Sequence, residues 1–350
     1  MGFFSRKNAA ILVLTAVLLA GCARNDEHTQ AGMNALSTQS YDKALTEFQK
    51  AIATGEDFEQ AYRGLGLAYM GKAMYTEAID SFDSALSHAG MFPGSLETDI
   101  NFYLATAQYK GGEVSKAVET LTNVIAIDEK NLDAYFLRGR AYLTLSQHDE
   151  GVADLEKALD LSGNNTQLYI DVYEALSDAG FEAEGAAYLQ TLLAEHMTDM
   201  TAFEKGKTYF YLEDYEAARN SLETVRGETK KPDAELILML GHTYEKLGDT
   251  EYAANLYQNY IDGNEPDAEI YNRLGLTRME AGDYEAALAA FESGLAVEGC
   301  PLVQTLSFNK IVALEHKGDF AQAKKLIRKY IQKYPDDQAA GREAAFLESR

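Results

Sequence analysis

The sequence predicts an all-α fold, an α-α superhelix (solenoid) of about nine stacked helical hairpins followed by a C-terminal capping helix. Three observations predict it. Similar segments recur about every 34 residues along the chain. Within each segment, apolar residues follow the i, i+3, i+4, i+7 spacing of one helix face. The 350 residues also include only 5 prolines, which leaves long stretches free to form helices.

Residues 1–21 have the organisation of an export signal. Arg6 and Lys7 form a short basic region, and residues 9–20 form an apolar stretch. That stretch is too short for a permanent membrane span, which needs roughly 20 residues. It ends in Leu19-Ala20-Gly21-Cys22, which resembles the lipobox of bacterial lipoproteins. The alternative is an ordinary secretory signal with a chance cysteine at its end.

The lipobox resemblance implies that cleavage leaves Cys22 as a lipidated N-terminus, with residues 22–24 as a short tether. Two or more acyl chains make a stable anchor. We therefore expect an extracytoplasmic protein anchored in the cell membrane or, in a two-membrane bacterium, in the outer membrane. Because only Ala23 and Arg24 separate Cys22 from the first repeat, we also expect that repeat to be partly unravelled as a linker.

Nine repeats account for residues 25–337. A five-residue insertion at 93–97 follows the second repeat, and residues 338–350 form one further helix with Ala340, Ala344 and Leu347 on a shared face. Such a terminal helix covers the last open hairpin of a solenoid. The predicted repeats are 25–58, 59–92, 98–131, 132–165, 166–198, 199–232, 234–267, 268–301 and 304–337.

Three positions, counted from the start of each repeat, carry the pattern. Position 20 is small and position 24 is large and apolar in all nine repeats, and position 8 is glycine in six. Glycine within a helix costs roughly 1 kcal/mol relative to alanine. We therefore expect the two helices of a hairpin to touch at position 8, with the residue at position 24 filling the space beside it. Tyr173 and Ile311 break the rule at position 8, which predicts slight splaying of the fifth and ninth hairpins.

This pattern resembles that of the tetratricopeptide repeat family over the whole of residues 25–337. The resemblance implies that the first helix of each hairpin lines a concave groove and that positions 2, 5, 9, 12 and 13 face a protein or peptide ligand. Carried onto this sequence, it assigns the following groove residues: Phe102, Tyr109, Phe136, Arg140, Leu143, Ile170, Glu174, Phe203, Lys207, Phe210, Tyr211, Leu238 and His242.

Two rows of these groove positions differ in character. Position 5 is large and apolar in the third to seventh repeats, and position 9 reads Arg140, Glu174, Lys207 and His242 in the fourth to seventh. An apolar row beside a charged row suits an amphipathic helix or an extended peptide. The alternative is that the side chains at position 5 pack between neighbouring first helices and belong to the core. The charged row is harder to explain as core.

Composition and motifs narrow the function further. The formal net charge of −24, or −26 without the signal, disfavours a nucleic-acid partner. The six histidines show no paired ligand spacing, and Cys300 has no histidine near it in sequence, so we expect no metal site, no catalytic residue and no cofactor.

The sequence thus predicts a membrane-anchored scaffold or adaptor that binds a protein or peptide, for example in envelope or secretion-complex assembly. It is not expected to be an enzyme, because signal and repeats leave no room for a catalytic domain. The alternative function is that of a lipoprotein that binds cell-wall glycan, with groove aromatic rings stacking on sugars.

Overall fold

The computed structural model describes residues 26–90 and 94–349, which fold into nineteen α-helices and contain no strand. The signal, Cys22 and the tether lie outside the described residues. The first helices of the hairpins are α1 (Glu27–Ser37), α3 (Phe58–Gly71), α5 (Ser95–Lys110), α7 (Leu132–Thr144), α9 (Thr166–Asp178), α11 (Ala202–Tyr211), α13 (Ala234–Lys246), α15 (Ala268–Glu280) and α17 (Val303–Lys317). The second helices are α2 (Tyr41–Thr54), α4 (Tyr75–Ser87), α6 (Val114–Ile127), α8 (His148–Ser162), α10 (Glu182–His196), α12 (Tyr215–Glu228), α14 (Thr250–Gly263), α16 (Tyr284–Leu295) and α18 (Phe320–Lys333), and α19 (Gln338–Glu348) follows. The all-α prediction is confirmed.

Side-chain caps begin many of these helices. Asp214, Asp249, Asp283 and Asp319 occupy the same repeat position, and each accepts a hydrogen bond of 3.1 or 3.2 Å from a backbone N–H in the first turn of the second helix. Such a cap satisfies one of the N–H groups that a helix terminus leaves unpaired. The cap therefore sets where the second helix starts.

The residue before that cap has a left-handed backbone in all nine hairpins. Five of these residues are glycines: Gly112, Gly180, Gly248, Gly282 and Gly318. The other four are not glycines, although their φ values lie between 54° and 60°: Gln39, Ala73, Ser146 and Glu213. Side chains disfavour this conformation, so the hairpin geometry imposes it on these four residues.

Glycine at position 8 lies against the large residue at position 24, as the sequence predicted. A methyl group on Gly32 would lie 2.7 Å from a ring carbon of Phe48, and one on Gly66 would lie 2.6 Å from Phe82. The same relationship holds for Gly139, Gly206, Gly241 and Gly275 with Leu155, Leu222, Tyr257 and Phe291. All six large partners are completely buried.

The fifth hairpin departs from the expected splaying. A methyl group on Gly185 of α10 would lie 3.0 Å from the carbonyl oxygen of Tyr173 and 3.1 Å from its Cα. In this hairpin the glycine lies on the second helix, at position 20, instead of on the first helix at position 8. It allows the two backbones to approach closely although position 8 is a tyrosine. The expectation of splaying at Tyr173 was wrong because position 20 compensates for position 8.

The helices form two compact units, one up to Leu192 and the other from Leu193 onwards. Within the first unit, α3 contacts α1 and α5, and α7 contacts α5 and α9. Within the second unit, α13 contacts α11 and α15, and α15 also contacts α17. Among the described residues, no comparable contact joins the second helices α2, α4, α6 and α8 of the first unit, or α12, α14, α16 and α18 of the second. The first helices therefore line the inner side of each unit.

The first repeat is folded from Glu27, contrary to the expected unravelling. Glu56, in the turn before α3, is buried and accepts hydrogen bonds from the N–H groups of His28 (3.0 Å) and Thr29 (2.8 Å) and from the Thr29 hydroxyl (2.7 Å). A carboxylate from the turn that links the first hairpin to the second thus caps α1. Burial alone would raise the pKa of Glu56, but these hydrogen bonds outweigh it and hold the pKa below its ordinary value.

The C-terminal helix α19 covers the last hairpin. Ala340 and Leu347 are completely buried, and Ala344 packs against the same apolar cluster as Ile327 and Tyr330 of α18. This is the face that the residue spacing predicted. Among the described residues, no helix is long and apolar enough to cross a membrane.

Candidate functional site

The thirteen predicted groove residues divide between the two units. Seven of them, from Phe102 to Glu174, belong to the first unit, and six, from Phe203 to His242, belong to the second. Each group lies on first helices, which line the inner side of its unit. The predicted groove residues therefore form two sets, one in each unit.

In the first unit, Arg140 of α7 is the centre of the candidate site. Its guanidinium carbon lies 5.9 Å from the ring centre of Tyr109 on α5 and 5.9 Å from that of Phe136 on α7. Both distances are within the range of a cation–π interaction. No carboxylate among residues 26–90 and 94–349 forms an ion pair with Arg140. All three side chains are half-buried, so each keeps some surface that a ligand can contact.

Thr144 belongs to this site and was missed from the sequence. Its hydroxyl lies 3.2 Å from the Tyr109 hydroxyl, at an exposed position. The two residues are 35 positions apart, close to one repeat, so the repeat period was the signal that could have found the pair. The hydrogen bond fixes the Tyr109 ring beside Arg140, and the site therefore presents a positioned ring, a cation and a hydroxyl.

Four predicted groove residues are buried and offer almost no surface to a ligand. Ile170 is 0% exposed, Leu238 5%, Leu143 7% and Phe210 8%. Leu143 and Leu238 are members of the apolar cores of their units. Ile170 and Leu238 lie at position 5, where burial favours the alternative of packing between helices, and Leu143 and Phe210 at position 12 are buried as well. Phe102, Tyr109, Phe136, Glu174, Phe203 and Tyr211 are half-buried.

In the second unit, the charged row does not present free charge. The Lys207 ammonium group lies 3.3 Å from a carboxylate oxygen of Glu235, and its side chain is only 16% exposed. Burial, followed by the charges of Arg273 and Lys246, lowers the pKa of His242 to about 3. His242 is therefore uncharged at neutral pH, and its assignment to a charged row was wrong.

Phe210 lies at the centre of an aromatic cluster in the second unit. Its ring centre lies 4.9 Å from that of His242, 5.7 Å from that of Tyr215 and 6.0 Å from that of Tyr211. These rings form an aromatic cluster that joins α11 to α12 and α13. Because Phe210 is buried inside the cluster, Phe203 and Tyr211 are the predicted aromatic groove residues of α11 that keep exposed surface.

The described residues hold no group of three His, Cys, Asp or Glu side chains that could bind a metal ion.

Buried acid–base pairs in each unit are structural. Arg138 of α7 forms two hydrogen bonds to Asp154 of α8, of 2.6 and 2.8 Å. Glu245 of α13 pairs with Arg273 of α15 and accepts hydrogen bonds from Thr277 and from Tyr257. The partners of each pair lie on different helices and are mostly buried, so these contacts hold the helices together.

Comparison with known proteins identifies the repeats. A family model described as Tetratricopeptide repeat matches residues 29–95, 203–268 and 272–338, which is more than half of the chain. Two other models of the same description match residues 99–128 and 132–165.

Among similar proteins, superkiller protein 3 of Schizosaccharomyces pombe is 29% identical over 150 residues, covering 40% of this chain and 10% of that protein. A DnaJ homolog subfamily C member 7 homolog of Dictyostelium discoideum is 27% identical over 179 residues, covering 46% of this chain and 32% of that protein. The match thus spans a third or less of these relatives. A crystal structure of a tetratricopeptide repeat protein from Parabacteroides merdae is 14% identical, covers 73% of this chain and 99% of its own, and superposes with a TM-score of 0.48.

Proposed function

Because this chain belongs to the tetratricopeptide repeat family, we propose that it is a non-catalytic, membrane-anchored scaffold that binds a protein or peptide outside the cytoplasmic membrane. The bound segment lies on the first helices of the first unit. It carries a carboxylate next to an apolar or aromatic side chain. Assembly of an envelope or secretion complex is the kind of process that such a scaffold serves.

The observation that carries this proposal is the environment of Arg140. Every other half-buried arginine among the described residues pairs with a carboxylate, whereas Arg140 has aromatic rings and no carboxylate beside it. A half-buried guanidinium group beside two rings is partly desolvated, so a carboxylate gains more from it than from a cation in bulk water. Its planar fork can bind both oxygens of a carboxylate.

A peptide-binding measurement tests this assignment. A panel of short peptides with acidic and aromatic residues is compared with the same peptides in which Asn and Gln replace Asp and Glu. We expect the acidic set to bind the wild-type protein more tightly than the neutral set. Arg140→Gln should raise the Kd of the acidic peptides at least about tenfold, which corresponds to 1.4 kcal/mol. Lys157→Gln, which removes an exposed charge from α8, serves as the matched control. Equal affinities for both peptide sets would contradict the proposal.

The membrane anchor is proposed from the lipobox-like residues at 19–22. Cys22→Ser should abolish incorporation of labelled fatty acid and release the protein from the membrane fraction. Continued labelling of this variant would rule out Cys22 as the lipidation site. The two tests are independent, since Arg140→Gln leaves the anchor unchanged.

A further inference from the structure

Helix α18 has a charge opposite to that of the rest of the molecule. Its fourteen residues, Phe320–Lys333, include five basic side chains and no acidic one: Lys324, Lys325, Arg328, Lys329 and Lys333. The whole chain has a net charge of −24, so the other 336 residues together carry −29. A local reversal of this size creates a positive surface at the C-terminal end of an acidic protein.

Four of the five cations of this helix form no ion pair within the described residues, although the Lys333 ammonium group lies 5.2 Å from the ring centre of Tyr334. Arg328 pairs with Glu348 at 2.7 Å. In contrast, none of Lys324, Lys325, Lys329 and Lys333 forms an ion pair with any residue that the structure describes. Elsewhere in the second unit, lysines such as Lys310 and Lys317 are paired with glutamates at 2.8 and 3.0 Å. No acidic partner in the described residues therefore neutralises these four lysines, and an external anion can approach them.

Three of these lysines form one straight, exposed row. Lys325, Lys329 and Lys333 are spaced i, i+4, i+8, so they lie on the same helix face, over roughly 12 Å of axis. The opposite face is occupied by Ala323, Ile327 and Tyr330, which are buried against α17 and α19. Packing therefore fixes the direction in which the row points.

We propose that this lysine row binds an anionic phospholipid surface. Clusters of four to eight basic residues on one helix are attracted to anionic headgroups, and α18 carries five, three of which form the exposed row. The proposal rests on the membrane anchor of the proposed function, because an anchored protein meets the lipid surface at high effective concentration. The acidic remainder does not prevent this contact, since charges more than about 8 Å away are screened at physiological salt.

The charge and the exposed residue types of this face favour a lipid surface as the ligand. Exposed small or polar residues such as Ala321, Gln322 and Gln332 lie beside the row, and no large apolar side chain of α18 is exposed among the described residues, so the surface offers a ligand charge rather than apolar contact. A planar array of phosphates requires only charge. An acidic polypeptide is the competing occupant and is included as an arm of the test.

The test uses lysine acetylation on the full chain purified from membranes. The protein is incorporated into vesicles of phosphatidylcholine alone or of phosphatidylcholine mixed with phosphatidylglycerol, and acetylation of each lysine is measured by mass spectrometry. We expect phosphatidylglycerol to slow acetylation of Lys325, Lys329 and Lys333 by at least about threefold, and added salt to reverse the effect. The exposed Lys43 and Lys130 of the first unit serve as internal references and should not change.

A pair of variants separates charge from folding. Lys325→Gln with Lys333→Gln should return acetylation of Lys329 towards its rate on neutral vesicles, whereas Lys43→Gln with Lys130→Gln, which removes the same charge elsewhere, should not. Identical acetylation on both kinds of vesicle would overturn the proposal, and so would protection by soluble polyglutamate without protection by phosphatidylglycerol. If the chain does not associate with neutral vesicles, the membrane anchor is contradicted. If it still associates with phosphatidylglycerol vesicles, the lysine row is supported without the anchor.

Discussion

A methyl group on Gly206 of α11 would lie 2.6 Å from Cγ of Leu222 on α12, well inside van der Waals contact. Leu222 is completely buried, so it has no space into which it could retreat. The same contact between positions 8 and 24 recurs in five other hairpins. It sets how closely the two helices approach each other.

Gly206→Ala should therefore destabilise the second unit, although alanine is the better helix former. Overpacking of this kind costs about 1–3 kcal/mol. Gly227→Ala is the matched control, because Gly227 lies in α12 with nothing within 4 Å of a methyl group, and it should stabilise the helix by about 0.5–1 kcal/mol. Thermal and urea unfolding measure both. A double-mutant cycle with Leu222→Ala should show that the cost of Gly206→Ala falls once the large side chain is gone.

Ala73 tests the left-handed turn position. Its φ is 57°, and replacing it with glycine should stabilise the first unit by about 1 kcal/mol, because a left-handed conformation costs an L-residue about 1–2 kcal/mol. The reciprocal change, Gly112→Ala, should destabilise by a similar amount. Gly112 has a φ of 86° and open space around the added methyl group, so only the backbone is affected. Free energies of unfolding that move in the same direction for both variants would contradict this account.

Phe203 and Phe210 should behave differently when truncated, although both belong to the predicted groove. Phe210 is 8% exposed and contacts three aromatic rings, so Phe210→Ala should cost about 3–5 kcal/mol. Phe203 is half-buried, and Phe203→Ala should cost clearly less. Melting temperature and peptide binding are measured on the same samples. A small loss of stability in Phe210→Ala would mean that this ring is not part of the core.

Glu56 should make the stability of α1 depend on pH. Its pKa is lowered in the folded protein, so the carboxylate stabilises the fold above the unfolded pKa of about 4.5, and that contribution is lost as pH falls through the folded pKa. Glu56→Gln should cost about 1–3 kcal/mol near neutral pH, because a neutral amide replaces a charged acceptor of three hydrogen bonds.

Hydrogen exchange of α1 measures the effect of Glu56. In the wild-type protein, protection of α1 should decrease on acidification below the unfolded pKa. In Glu56→Gln, protection should be lower at neutral pH and should change less in the acidic range. Helix α13 is a suitable reference within the same molecule, since it lies in the other unit. Equal pH profiles for α1 in the two proteins would exclude the capping role.

Much of the fold could be predicted from the sequence because its determinants are periodic and local. Glycine at position 8, a small residue at position 20 and a large one at position 24 recur with the same phase, and together they specify a helical hairpin. The face of α19 that carries Ala340 and Leu347 was equally evident from spacing. The left-handed turns at Gln39, Ala73, Ser146 and Glu213 could not be read from residue type, because none of the four is glycine.

The candidate site was predicted only in outline, since exposure at a groove position depends on neighbours that are distant in sequence. Arg140 and Lys207 occupy equivalent repeat positions, but Lys207 is paired with Glu235 whereas Arg140 lies between rings. Ile170 and Phe136 are also equivalent, and only Ile170 is fully buried. The sequence by itself determined the repeat, its period and the helix faces, because each depends on residues within about 34 positions. Only the tertiary structure decided which charges are compensated and which side chains reach solvent, because these depend on contacts between hairpins.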